Sequence, residues 1–294
     1  MEIDCKELKR QSRERMTLTD PKFWVVALAY LAMTVGLSWL ISLIPLPNSQ
    51  TIHLFFQLLL NLYTTVVHFG MCLWALWTWR QLDPGVNSLM QGFSVAGRVI
   101  VMELGIYLRV LGWYFVVAFT LAMPVFILLI AGAGAGLGMF TLFLFFVGLI
   151  ATIIFLQLRY ALAPYLLADR PDDGPTAPFR RSADLMRGCK WELFKLEFSF
   201  LGWELINLFL TLMVILFFLD RAGLSFPQII LDEMQYSKAM AVISSPPVLI
   251  LSTLVTTPVF LWLTPYRETA RAGFYDARLL AAADAADQPE MPPL

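Results

Sequence analysis

Residues Val99–Leu158 read VIVMELGIYLRVLGWYFVVAFTLAMPVFILLIAGAGAGLGMFTLFLFFVGLIATIIFLQL, and the charged side chains among them are Glu103 and Arg109. A helical membrane crossing takes about 20 apolar residues for roughly 30 Å of hydrocarbon. The stretch is too long for one crossing and suits two. The glycine-dense Ala131–Gly138, AGAGAGLG, disfavours a helix interior and divides it into Val99–Ile130 and Phe140–Leu158. Pro124 removes a backbone donor and predicts a kink in the first of these.

The flanking sequence repeats the pattern. Phe23–Ile44 carries no charge and ends on Pro45, Leu46, Pro47 and Asn48. It is too long for a signal-peptide core and no small-residue cleavage site follows it, so it reads as a retained span. Leu54–Trp79 ends on Trp74, Trp77 and Trp79, with Arg80 next, an interfacial aromatic belt closed by a cation. Leu193–Leu219 is the fifth span. Val248–Leu263 is the sixth, introduced by Pro246 and Pro247 and closed by Pro265 and Tyr266. The expected fold is all-α: a polytopic membrane protein with six transmembrane helices and short cytoplasmic interfacial helices. An amphipathic cytoplasmic segment at 1–22 precedes the membrane domain at 23–280, and a disordered tail follows at 281–294.

Composition agrees. The chain has 294 residues, 59% hydrophobic and 15% charged, with a mean hydropathy of +0.69. Soluble domains are about one-quarter charged, so the deficit excludes a disordered chain, a nucleic-acid binder and an ordinary cytosolic enzyme. Net charge is −1, which marks no polyanionic partner. Cys5, Cys72 and Cys189 are far apart and read as free, structural thiols. His53 and His68 lie in no metal-ligand spacing. No metal or cofactor is expected.

Lysines and arginines give the orientation. The amino-terminal segment holds Lys6, Lys9, Arg10, Arg13, Arg15 and Lys22, and the loop after span two holds Arg80 and Arg98. The loop after span four adds Arg159, Arg170, Arg180, Arg181, Arg187 and Lys190, and the tail adds Arg267, Arg271 and Arg278. With six spans all of these share one side, whereas the other side has Arg221 and Lys238 in its third loop. Both termini are therefore expected in the cytoplasm. Ser12–Lys22, Ser88–Arg98 and Ser182–Lys190 each pair a serine with a following methionine (Met16, Met90, Met186) and lead into a hairpin. This is a weak pattern of three repeated units. Within Asp220–Ser245, the residues Ile230, Leu231, Met234 and Ala241 could share one face of an interfacial or re-entrant helix.

The densest local pattern starts at Arg159-Tyr160 and runs through Pro164-Tyr165, Ala168-Asp169 and Pro171. It continues with Ser182, Met186-Arg187-Gly188, Lys190-Trp191, Ser199-Phe200 and Gly202-Trp203, and ends on Pro265-Tyr266 and Phe274-Tyr275. From Arg159 to Tyr275 the order resembles the bacterial integral membrane proteins of domain-of-unknown-function family 975. Cys189 and Leu201 depart from the family's usual Asn and Ile. The resemblance implies a multi-span membrane fold and no established activity. Physically, Tyr160, Tyr165, Trp191, Tyr266 and Tyr275 are amphipathic rings suited to the headgroup level, while Trp203 sits deeper and Arg187 and Lys190 meet lipid phosphates. These residues form either a cytoplasmic collar that docks a partner or gates a passage, or a set of membrane anchors.

Ionisable residues inside spans cost about 2.5–3.5 kcal/mol each on insertion scales and face partners or water. Arg109 lies eleven residues past Arg98, Glu204 eleven past Leu193 and His68 eleven before Trp79, each about 16 Å deep at 1.5 Å per residue. Arg109 is expected to pair with Glu204, with His68 nearby. Glu103, Lys195 and Glu197 are secondary polar positions nearer the interface.

Hydrolase, nucleotide-binding and metalloprotease motifs are absent. The leading expectation is a non-enzymatic protein of the bacterial inner membrane, a scaffold or accessory component whose partners are lipids and a second protein or copy of itself, not nucleic acid. The alternative is a small-solute or ion transporter using the Arg109–Glu204–His68 cluster.

Overall fold

The computed structural model describes residues 4–42, 50–82, 84–131, 135–224 and 232–287. It is 88% helical, and six of its helices are long and apolar enough to cross a membrane. Helix α1 (Cys5–Thr17) starts on Asp4, whose side chain accepts from the Lys6 N–H at 2.9 Å and satisfies one of the donors a helix start leaves open. Helix α2 (Phe23–Leu31) passes through a π-helical turn at Ala32–Gly36 into α3 (Leu37–Ser42). There the Thr34 hydroxyl donates to Tyr30 O at 2.7 Å, the kind of insertion that loosens a helical ladder. Helix α4 spans Gln50–Trp79. The short α5 (Asn87–Gln91) and a 3-10 turn at Gly92–Val95 lead into α6 (Ala96–Ile130), which is continuous through Pro124.

Helix α7 (Ala135–Tyr160) gives way to α8 (Ala163–Asp169). Pro164 sits in the first turn of α8, where a missing N–H costs nothing. Helices α9 (Ala177–Leu185), α10 (Lys190–Phe198), α11 (Leu201–Arg221), α12 (Glu233–Ile243) and α13 (Pro246–Asp287) complete the described chain. The central AGAGAGLG residues 132–134, Ile230 and Leu231 lie outside the described residues.

Two boundaries differ from the sequence reading. The fifth span does not begin at Leu193. Helix α10 stops at Phe198, where the Ser199 hydroxyl donates back to Leu196 O at 2.5 Å, and the membrane helix begins at Leu201. A serine bonded to the preceding turn competes with the helical ladder. The sixth helix is not closed by Pro265 but runs on to Asp287, 42 residues in all. Past the proline, the Thr269 hydroxyl donates to Pro265 O at 2.7 Å, a back-bond to the preceding turn of the same helix. The expected tail at 281–294 is therefore helical to Asp287.

Helix α13 is the axis, in contact with α1, α2, α4 and α11. Its Gly273 lets α1 and α4 close in: a Cβ there would stand 2.7 Å from the Trp79 ring and 2.8 Å from Leu8. The main core lies at this end, around Trp74, Leu193, Phe200, Phe274 and Tyr275. Helices α6 and α7 pack mainly on each other and meet the rest through Val99, Met102 and Phe69 near the start of α6. Ser12, Ser88 and Ser182 of the three pre-hairpin segments are all buried. Ser182 also donates to Arg159 O at 3.0 Å, tying α9 to α7.

Candidate functional site

The axial helix carries Arg267, Glu268 and Arg271 within one turn, and spacings of three and four place side chains on a common face. Glu268 is 5% exposed. It accepts from the Tyr165 hydroxyl at 2.7 Å and from Arg271 Nη1 at 2.9 Å, and the Cys72 thiol points at it from 3.9 Å. Arg271 Nε reaches Glu197 on α10. Arg267 Nε donates to the same Glu197 at 2.8 Å and its Nη1 to Glu204 on α11 at 3.2 Å. The result is a chain of alternating charge, Glu268–Arg271–Glu197–Arg267–Glu204, that joins α13 to α10 and α11. Removing one member strands its neighbour's charge in a poorly solvated place.

A second cluster lies one turn further along α13. Arg80, just past α4, forks onto Asp169 of α8 and Asp276 of α13: its Nη2 donates to Asp169 at 2.8 Å and to Asp276 at 2.7 Å. The Tyr275 hydroxyl donates to the same Asp169 at 2.7 Å. These bonds, those to Asp169 foremost, hold the Arg80 guanidinium in its charged form well above its ordinary range. Tyr275 stacks on Tyr165 with ring centres 5.8 Å apart and so joins the two clusters.

Two cavities meet at Arg271. One, about 340 Å³, is bounded by α4 and α6 through His68, Cys72 and Glu103, with Tyr160, Pro164, Tyr165 and Glu268 completing it. The other, about 420 Å³, is bounded by α10 and α11 through Phe194, Glu197, Phe200 and Glu204, with Arg267 below. Gln157, Ala161 and Arg271 line both, so α7 stands between them. In the first cavity His68 lies within electrostatic reach of Glu103 and Glu268. Among the described residues Glu103 has no hydrogen bond or salt bridge. Also among them, no group of three His, Cys, Asp or Glu side chains is disposed to hold a metal ion.

The structure does not bring Arg109 to Glu204. Arg109 donates to Gly105 O at 2.9 Å and lies over the Phe179 ring at 3.9 Å, folding back toward α9, while Glu204 takes Arg267 as partner. His68 and Glu204 line the two separate cavities. Of the secondary positions, Glu197 is the doubly bridged carboxylate, Glu103 faces the first cavity and Lys195 is exposed.

The aromatic residues divide. Tyr160, Tyr165, Tyr266, Phe274 and Tyr275 are buried, with Tyr266 edge-on to Phe200. Trp203 pairs with Trp262 at 4.9 Å. Trp191 is 63% exposed and stacks on Phe194. Lys190 lies over Phe155 at 4.8 Å, and Arg187 makes a surface pair with Asp184.

A family model described as a protein of unknown function (DUF975) matches residues 1–281. The chain belongs to that family. The match is wider than the Arg159–Tyr275 region that carries the sequence resemblance. No curated protein and no solved structure matches the chain. Sequence reading of this DUF975 chain missed Arg80, Asp169, Asp276, Arg267, Glu268 and Arg271 as site residues. The usable signal was the Arg267-Glu268 and Arg271 charges held between the Pro265-Tyr266 and Phe274-Tyr275 pairs.

Proposed function

We propose that this is a non-catalytic multi-pass membrane protein that admits a small polar or amphiphilic solute to the paired cavities beside Arg271, with a transport role. The observation that carries the reading is the shared wall: Gln157, Ala161 and Arg271 line both cavities. A rigid-body shift of α7 would enlarge one at the expense of the other, a movement by which a solute could pass from one cavity to the next. Charged groups at membrane depth mark such pathways, and the groups we assign to taking a proton or a solute are Glu103, which has no hydrogen bond among the described residues, and His68, whose Nδ1 lies 4.0 Å from the Cys72 thiol. The lysine and arginine bias puts the ion-pair end in the cytoplasm, and the bacterial inner membrane is the setting in which we place it.

The test is charge movement and uptake in proteoliposomes across a panel of inorganic cations, amines and amino acids. A signal above protein-free vesicles is expected, reduced at least about tenfold in His68→Asn and Glu103→Gln if those groups carry proton or solute. Background flux from folded protein across the whole panel refutes transport.

A second reading, a membrane scaffold, would use the α6–α7 hairpin, whose large apolar side chains, with Phe119 at 71% and Met139 at 74% exposed, are open to lipid and to a partner helix alike. Crosslinking in native membranes that returns only the monomer rejects that role.

A further inference from the structure

Outside both cavities, α8, α9 and the outer part of α13 enclose a third one of about 410 Å³, lined by Asp169, Arg170, Arg181, Asp184, Tyr275 and Arg278, with Leu166, Leu185 and Leu279 among its apolar walls. Its carboxylates are engaged elsewhere. Asp169 is held by Arg80 and Tyr275, and Asp184 pairs with Arg187 at 2.9 Å. Arg181 bonds Asp173. Two guanidinium groups remain. Among the described residues Arg170 has no side-chain hydrogen bond or ion pair. Arg278 donates Nη2 to Leu185 O at 3.3 Å, but its Nε is shut off from solvent and has no acceptor.

A buried donor left unmade costs about 1–3 kcal/mol, more for a charged group, so a side-chain turn that brings the Arg278 Nε to an anion in the cavity would make a bond the present arrangement lacks. Guanidinium forks match tetrahedral oxyanions, which take two parallel N–H bonds. We propose that this cavity is a binding site for a phosphate group, contacted by Arg170 and Arg278. Phosphate fits the donor set better than a carboxylate because it offers three acceptor oxygens and up to two negative charges where a carboxylate offers two oxygens and one charge. The leucine wall beside the arginines suits a phosphate that carries a glycerol or acyl stem. The shared chemistry is the phosphate monoester or diester, and its source is either an anionic lipid headgroup or a soluble phosphate. The site is separate from the proposed transport cavities: none of its lining residues belongs to them.

The test uses the full chain in a zwitterionic detergent with three probes: dihexanoyl phosphatidic acid, inorganic phosphate and dihexanoyl phosphatidylcholine. Binding is read by thermophoresis and by ³¹P line broadening. Saturable binding of the phosphatidic acid is expected, weakened about tenfold by Arg170→Gln and by Arg278→Lys, which keeps the charge and loses the Nε fork. Arg170 is exposed, so its variant folds as wild type does, and matching thermal midpoints verify this. Phosphatidic acid binding without inorganic phosphate binding assigns the site to a lipid. Equal binding of both assigns it to the phosphate group alone. No saturable binding of either, or unchanged binding in the folded Arg170→Gln protein, overturns the proposal.

Discussion

The α6–α7 hairpin and the group of helices around α13 are both built from long apolar segments, yet they hold together by different means. Half of the apolar window of α4 is buried inside the molecule and none of that of α6 is, while α7 and α13 each bury 11% of theirs, so burial alone does not separate the two regions. Around α13 the contacts are close and polar: the ion chain from Glu268 to Glu204, the Arg80 fork, and glycines where backbones touch. Gly70 is one of these, since a Cβ on it would run into the carbonyl and Cα of Leu89. In the hairpin, Gly148 faces the Leu121 methyls and the Thr152 hydroxyl donates to Gly148 O at 2.8 Å within α7. Helices in lipid gain no hydrophobic driving force from meeting one another, because lipid tails are as apolar as leucine. Apolar length therefore places a helix in the membrane, while small residues and polar bonds decide which helices stay together.

Three substitutions sharpen that contrast. The largest effect is expected for Glu268→Ala, which leaves Arg271 and Tyr165 without their buried acceptor. A loss of about 3–5 kcal/mol is expected, read as a lower unfolding midpoint by tryptophan fluorescence in detergent. Gly70→Ala forces α4 away from Leu89, whose backbone cannot turn aside as a side chain could, and about 1–3 kcal/mol is expected. The smallest effect belongs to the hairpin: Phe119→Ala removes a ring that touches little protein, and its midpoint should stay within about 0.5 kcal/mol of wild type. If Phe119→Ala costs as much as Glu268→Ala, the two regions are held alike and the contrast fails.

The six crossings were legible because each is a charge-poor apolar run close to or beyond the length that crosses the hydrocarbon. The site was legible only in part, and the reason can be traced to one residue. Reading Pro265 as the end of the sixth helix puts Arg267, Glu268 and Arg271 in the tail beyond the span, which leaves Arg109 as the cation that matches Glu204 in depth. The helix in fact continues through the proline and delivers Arg267 to Glu204. Counting residues gives depth along a helix but not the direction a side chain faces. Arg109 faces Phe179 and its own Gly105 carbonyl, a choice set by how α6 lies against α9. Likewise Tyr165 and Tyr275 were read as surface rings from their amphipathic character, whereas their hydroxyls meet Glu268 and Asp169 inside the protein.

The final helix is one rod of 42 residues, about 63 Å at 1.5 Å per residue, roughly twice the thickness of the oil it crosses. Its inner length carries the arginines that border both chambers, and its outer length reaches past Tyr275 to Asp287 with no hinge between. Because the helix is unbroken from Arg271 to Asp287, a tilt of its last turns is also a tilt of the segment that bears both salt-bridged clusters.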